Sequence, residues 1–244
     1  MKTLVILGTC HEETKNYNAE HIVEIMEKLK PSIIFEELPE EWKVDLKFRR
    51  KNITGTESKA IAAYMKKHPE CKVIQYDIMY RNKTLKEKNY FESQKRFNAA
   101  LEKLYKAKKL DSEDRLRFEH LYDIYNMRDK HLSNEYARII NSNISDGLIR
   151  YKEKLAYSFY RDIVKKYEEL RTFKEHIHFI DHFWRIRNEA MVENVLKSLE
   201  NNNEDMLAIL LCGYEHREVL KRLFKKHKNK IELKEYWEID VNNK

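Results

Sequence analysis

The sequence predicts an α/β protein. Its mostly parallel central sheet has about five strands flanked by helices, with a large all-helical insertion between the third and fourth strands. Short apolar runs alternate with amphipathic helical patterns at both ends of the chain, which is the order of a parallel sheet. A long middle stretch shows only helical spacing. The composition, with 36% charged residues but only 4 Gly and 3 Pro, favours helices over a sandwich of short strands.

Five apolar runs predict the strands. Thr3–Leu7 is apolar on both faces, as in a central parallel strand. The predicted strands cover residues 3–7, 32–35, 72–76, 206–212 and 231–237. Helices are predicted between them over residues 19–30, 57–67, 186–199 and 216–226. Asn18 is the expected N-cap of the first helix, which Pro31 closes.

The insertion is predicted because no strand pattern occurs between about Thr84 and Glu175. Apolar residues there recur at three- and four-residue spacing, which predicts three or four helices with breaks near 110–112 and 142–147. We therefore expect an α/β core, formed by residues 1–83 and 180–244, that carries the active-site cleft. Residues 84–179 form the expected helical insertion or lid.

Charge and cysteine content restrict the class of protein. The net charge of +7 comes from 48 basic and 41 acidic residues that are interleaved, so we expect a solvated helical surface and consider nucleic acid an unlikely partner. Three cysteines, an odd number lying partly in apolar runs, argue against a disulfide framework. No signal peptide and no apolar run of membrane-spanning length is visible, so a cytoplasmic location is expected, and an oligomer remains open.

Ionisable residues follow four of the predicted strands, at the edge where parallel sheets bind ligands. Two of these strand ends share the same Gly-x-x-His spacing, in Gly8–His11 and Gly213–His216. The other two end in Glu36-Glu37 and in Asp77. A glycine at the end of a strand permits a tight turn or the close approach of another backbone. We therefore expect the two imidazoles to lie on either side of one cleft.

This set of residues suits two kinds of chemistry. Two imidazoles and a carboxylate bind Zn, Mn, Co or Fe, and a histidine oriented by an acid acts as a general base. Alternation along a strand directs Glu36 and Glu37 to opposite faces, so at most one of them points into the cleft. Asp77 either joins the site or caps the following turn. Cys10 is interpreted as a small buried thiol.

The quoted motifs resemble those of the TraB/Tiki superfamily, which also includes erythromycin esterase-like and ChaN-like proteins. The matching pieces, in the family's order, are Gly8–His11, Phe35–Leu38, Arg187–Met191 and Leu207–His216. The resemblance covers residues 1–80 and 180–240, and the helical middle matches nothing in the family. It implies a cleft that contains both histidines, a glutamate and Arg187. By the Glu-Leu pattern Glu37 is the matching acid.

The resemblance implies a metal-dependent hydrolase of peptide or ester bonds, with a small molecule or a peptide as substrate. His11, Glu37 and His216 would bind the cation and its water, and Arg187 would hold a substrate carboxylate or the oxyanion. Asn188 and Asp77 would orient the other groups, and Glu36 is an additional candidate for contact with a cofactor. The alternative is a binding protein that uses the same cleft for haem or another anionic ligand.

Overall fold

The computed structural model describes residues 2–10, 12–39, 55–201 and 205–239, which contain a five-stranded, all-parallel sheet flanked by helices. The predicted α/β class is confirmed, including the large helical region between the third and fourth strands. The strands are β1 (Lys2–Thr9), β2 (Ile33–Pro39), β3 (Lys72–Asp77), β4 (Met206–Gly213) and β5 (Glu232–Lys234). Their order in the sheet is β3-β2-β4-β1-β5, so β4 lies between β2 and β1.

Helices account for most of the remaining described chain. The α-helices are α1 (Ala19–Leu29), α2 (Thr56–Met65), α3 (Arg81–Glu87), α4 (Tyr90–Lys106), α5 (Ser112–Asn134), α6 (Ala137–Ile140), α7 (Asn143–Lys166), α8 (Lys174–Glu200) and α9 (Tyr214–Phe224). Asn18 caps α1 as expected: its side-chain oxygen accepts the backbone N–H groups of Glu20 and His21. The helix ends at Lys30, just before Pro31, in a left-handed conformation.

The two faces of the sheet bury different helices. We call the first the α1 face, where Val5 and Leu7 of β1 pack with α1, α2 and α6. We call the second the α9 face, where Leu4 and Ile6 pack with α9 and with residues 191–199 of α8. Successive strand residues point to opposite faces, so the parity of a residue in each strand assigns its face.

Two elements differ from their predicted bounds. The helix expected from residue 186 begins at Lys174, because the stretch from 174 to 186 holds no Gly or Pro that would stop it. The last strand ends at Lys234, since Glu235 instead caps a short 3₁₀ turn over Tyr236–Glu238 and its backbone N–H bonds the Glu238 carboxylate. The expected break near 142–147 is shorter, with α7 beginning at Asn143.

The chain divides into two compact units. The first contains the sheet and comprises residues 1–79, 131–147 and 188–244, and the second comprises residues 80–130 and 148–187. The structural boundaries thus differ from the expected ones, because residues 131–147 belong with the sheet rather than with the helical insertion. The second unit has its own apolar core around Phe97, Phe159 and Ile163. Among the described residues, no helix is long and apolar enough to cross a lipid bilayer.

Asn141 explains why residues 131–147 belong with the sheet. Strand β5 pairs with β1 only as far as Val5. Farther along this edge, the buried Asn141 amide takes the place of a strand: its Oδ1 accepts Gly8 N–H at 2.6 Å and its Nδ2 donates to Gly8 O at 3.1 Å. The Tyr17 hydroxyl also donates to Gly8 O at 2.9 Å, and burial raises the Tyr17 pKa well above its ordinary value.

A buried ion cluster ties α9 to the start of α7. The Arg217 guanidinium, which is only 1% exposed, donates to both Asp146 oxygens at 2.6 Å and to Glu235 Oε2 at 2.5 Å. Lys221 Nζ reaches the same two carboxylates at 2.9 and 2.6 Å. Two cations thus face two anions, and removing one member of such a cluster leaves an uncompensated buried charge.

The Asn141 contacts predict a specific loss of stability. In Asn141→Ala, Gly8 N–H loses its acceptor in a buried site, and leaving a buried donor unsatisfied costs about 1–3 kcal/mol. We expect urea unfolding, followed by circular dichroism, to shift to a lower midpoint. Asn126→Ala, at an exposed position of α5, is the control and is expected to change stability by less than about 0.5 kcal/mol. Equal midpoints for the two variants would contradict the clamping role of Asn141.

Candidate active site

The carboxyl ends of β1, β4 and β2 lie side by side, as predicted for the edge of the sheet that carries the site. Gly8 is opposite Cys212 and Thr9 is opposite Gly213, so the two Gly-x-x-His motifs begin on neighbouring strands at nearly the same height. On the other side of β4, Glu36 is opposite Leu211. The residues that follow these strands therefore start from one edge of the sheet.

Gly8 has a steric role. A Cβ atom at this position would lie 3.0 Å from Tyr214 Cα and 3.0 Å from Arg217 Cδ. The first motif thus supplies the space into which the first turn of α9, carrying the second motif, packs. The expected close approach of another backbone is confirmed at this glycine.

His216 lies in the first turn of α9 with both ring nitrogens engaged. Nδ1 is 2.8 Å from Asn188 Oδ1, and Nε2 is 3.7 Å from Glu37 Oε1. An amide oxygen only accepts hydrogen bonds, so Nδ1 carries the proton in this contact and Nε2 faces the carboxylate. The His216 and Glu37 side chains are only 17% and 10% exposed, which strengthens the electrostatic interaction between them.

Glu37 is held through its second oxygen. Oε2 accepts the backbone N–H of Gly213 at 2.7 Å, so the carboxylate spans the end of β4 and the His216 ring. Phe35, two residues earlier in β2, packs on the α9 face, and Glu37 shares that face by alternation. The structure therefore brings together Glu37, Asn188 and His216 of the predicted set.

Glu36 points to the α1 face instead, which matches the expected alternation. Its buried carboxylate accepts Ser58 Oγ at 3.0 Å and Gln75 Nε2 at 3.2 Å. Asp77 is also buried, and its Oδ1 accepts Ile78 N–H at 2.8 Å, which is the turn-capping alternative. Neither contact reaches His216, so cofactor contact by Glu36 and orientation by Asp77 stay predictions.

Two predicted site residues remain, His11 and Arg187. His11 falls outside the described residues. Arg187 is the last residue of the second unit, where it is buried and its guanidinium lies 5.1 Å from the centre of the Trp184 ring. Asn188, the next residue, belongs to the first unit. The anion-holding role of Arg187 stays a prediction.

The described residues contain no group of three or more His, Cys, Asp or Glu side chains arranged to hold a metal ion. Two of the three expected ligands, His216 and Glu37, lie in this part of the chain, and their Nε2 and Oε1 atoms are 3.7 Å apart. His11, the third expected ligand, lies outside it. The predicted three-residue metal site therefore stays a prediction.

Two residues near the rim were missed by sequence reasoning. Thr9 is fully buried, and its single hydroxyl proton is shared between Cys212 O, at 2.9 Å, and the Glu57 carboxylate. Glu57 lies in the first turn of α2, on the α1 face. Thr9 falls inside the first Gly-x-x-His motif, which was the only signal for it. Glu57 carried no signal, because only the fold brings α2 beside β1.

The three cysteines give a testable consequence of burial. Burial raises the pKa of Cys10 and of Cys71 to about 11, and it raises that of Cys212 well above its ordinary value. Only the thiolate is reactive, so at pH 8 we expect no cysteine of the folded protein to react with a thiol-specific disulfide reagent on the timescale of minutes. All three are expected to react in denaturant. Rapid labelling of Cys10 in the folded protein would contradict its interpretation as an inert buried thiol.

No protein-family model, curated protein or solved structure matches this chain. The resemblance to the TraB/Tiki superfamily therefore rests on the short motifs alone.

Proposed function

We propose that this chain is a hydrolase of ester or peptide bonds in which His216, oriented by Asn188 and paired with Glu37, activates the attacking water. The observation that carries the proposal is the line of contacts from Asn188 Oδ1 through the His216 ring to Glu37 Oε1, at 2.8 and 3.7 Å. A general base needs a fixed tautomer and a group that stabilises its protonated form, and these two neighbours suit both needs.

The residues divide the proposed reaction between them. With Nδ1–H donated to Asn188, the neutral His216 ring carries its lone pair at Nε2, where it takes a proton from water. The water oxygen then attacks the carbonyl carbon of the substrate. The Glu37 carboxylate stabilises the imidazolium that forms, and His216 returns the proton to the leaving group.

The same two side chains fit a divalent transition metal such as Mn, Co, Zn or Fe. The 3.7 Å between Nε2 and Oε1 is near the roughly 3.4 Å between two ligands of a tetrahedral ion with bonds of about 2.1 Å. A histidine ligand commonly donates its other ring N–H to an oxygen, as His216 does to Asn188. When bound, such a cation would supply a water of lowered pKa.

Loss of either member of the pair is expected to abolish hydrolysis. His216→Gln removes the base, and Glu37→Gln removes the charge that stabilises its protonated form. We expect each to lower kcat/KM by at least about a hundredfold, the usual contribution of general acid–base catalysis. The measurement is turnover of a panel of activated esters and peptides, with circular dichroism to verify folding.

Matched controls separate chemistry from a general effect of the substitutions. His227→Gln and Glu24→Gln make the same changes at positions away from the site, and both variants are expected to keep wild-type turnover. Hydrolysis that persists in His216→Gln and Glu37→Gln would overturn the proposal. A haem absorbance band on titration, with no hydrolysis of any substrate in the panel, would favour the binding-protein alternative.

Metal content provides a separate prediction. Protein purified without chelator is expected to contain a transition metal by elemental analysis, and the double variant His216→Gln/Glu37→Gln is expected to lose it because two of the proposed ligands are gone. Glu24→Gln serves again as the control. Equal metal content in the double variant and the control would contradict metal binding by this pair.

A further inference from the structure

We propose that Thr9 and Glu57 are positioning residues for Glu37, and that they act across the sheet through the peptide group joining Cys212 to Gly213. We call this series of hydrogen bonds, from Thr9 through the peptide group to Glu37, the relay. Its effect on catalysis rests on the proposed function, whereas the hydrogen bonds themselves can be tested without measuring turnover. Neither residue touches the atoms that would react.

One peptide group of β4 links the two sides of the relay. Its carbonyl, Cys212 O, accepts the Thr9 hydroxyl at 2.9 Å, and its N–H, on Gly213, donates to Glu37 Oε2 at 2.7 Å. The C=O and N–H of one peptide group point in opposite directions, and β4 lies between β1 and β2. The carbonyl therefore faces Thr9 of β1, and the N–H faces Glu37 of β2.

The relay occupies the position where backbone pairing gives way to side chains. The last paired residues of β2 and β4 are Glu36 and Leu211, one step before the peptide group in question. The Glu37 carboxylate thus takes the place of a backbone acceptor from β2. Thr9 and Cys212 are both fully buried, so the bonds lie in a region of low dielectric.

Glu57 fixes the start of the relay. Its Oε1 bonds the Thr9 hydroxyl from the α1 face, whereas Glu37 lies on the α9 face. The single hydroxyl proton is therefore shared between the Glu57 carboxylate and Cys212 O, which restricts the Thr9 side-chain rotamer. A carbonyl that accepts a hydrogen bond polarises its peptide group and makes the N–H a stronger donor. Thr9 thereby strengthens the bond that holds Glu37 Oε2 and keeps Oε1 directed at His216.

The experiment observes the Gly213 amide directly. We would record the Gly213 amide proton by NMR and its hydrogen-exchange rate in the wild-type protein, Thr9→Val and Thr9→Ser. Thr3→Val, the same substitution at the other end of β1, is the matched control. We expect the Gly213 proton to move upfield and exchange faster in Thr9→Val, and to stay near its wild-type position in Thr9→Ser and Thr3→Val. Glu57→Gln weakens the acceptor that competes with Cys212 O for the Thr9 proton, so it is expected to move the Gly213 proton in the opposite direction.

Activity provides the second readout. In Thr9→Val we expect kcat to fall about tenfold or more with little change in KM, as for other residues that orient a catalytic group, and Thr9→Ser should restore it. A Gly213 amide unchanged in both Thr9→Val and Glu57→Gln would overturn the relay, whatever the activity. A moved Gly213 amide without hydrolysis in any variant would support the relay and count against the proposed function instead.

Discussion

The packing of the first turn of α9 against Gly8 is the contact on which the candidate site depends. With Tyr214 Cα and Arg217 Cδ each 3.0 Å from where a Cβ would lie, only glycine leaves room for the helix to start here. His216 lies between these two residues in sequence, so its ring is positioned by the same contact. The two Gly-x-x-His motifs are therefore parts of one packing arrangement, in which the first provides the space that the second fills.

The segment 131–147 supports both motifs from outside the sheet. Asn141 satisfies the backbone of Gly8, while Asp146 balances the charge of Arg217, the residue after His216. The Arg217 Nε also donates to Ile6 O at 3.2 Å. Side chains thus bond the backbone of β1 beyond Val5, where its pairing with β5 ends. Buried backbone groups require partners, and here polar side chains from a distant part of the chain supply them.

The sequence predicts the features that depend on local patterns. Apolar runs located all five strands, the capping residue Asn18 located α1, and alternation assigned Glu36 and Glu37 to opposite faces. The motifs and the family resemblance also selected Glu37, Asn188 and His216, whose side chains contact one another in the structure. By contrast, Asn141 and Asp146 lie beside or within the predicted break at 142–147, and Glu57 lies at the start of a predicted helix. None of these local patterns indicates a buried partner. Their partners are 48 to 133 residues away, and long-range pairing of this kind leaves no periodicity in a single sequence.

The position of segment 131–147 also bears on the modularity of the chain. The polypeptide leaves the sheet unit after residue 79, returns at 131, leaves again after 147 and returns at 188. The helical unit is thus formed by two separate segments of the chain, residues 80–130 and 148–187, rather than by one continuous insertion. Cutting it out in a single piece would delete Asn141 and Asp146, leaving a strand edge and a buried guanidinium without these partners. Engineering of the helical unit would therefore have to replace or shorten the two segments independently and keep residues 131–147 between them.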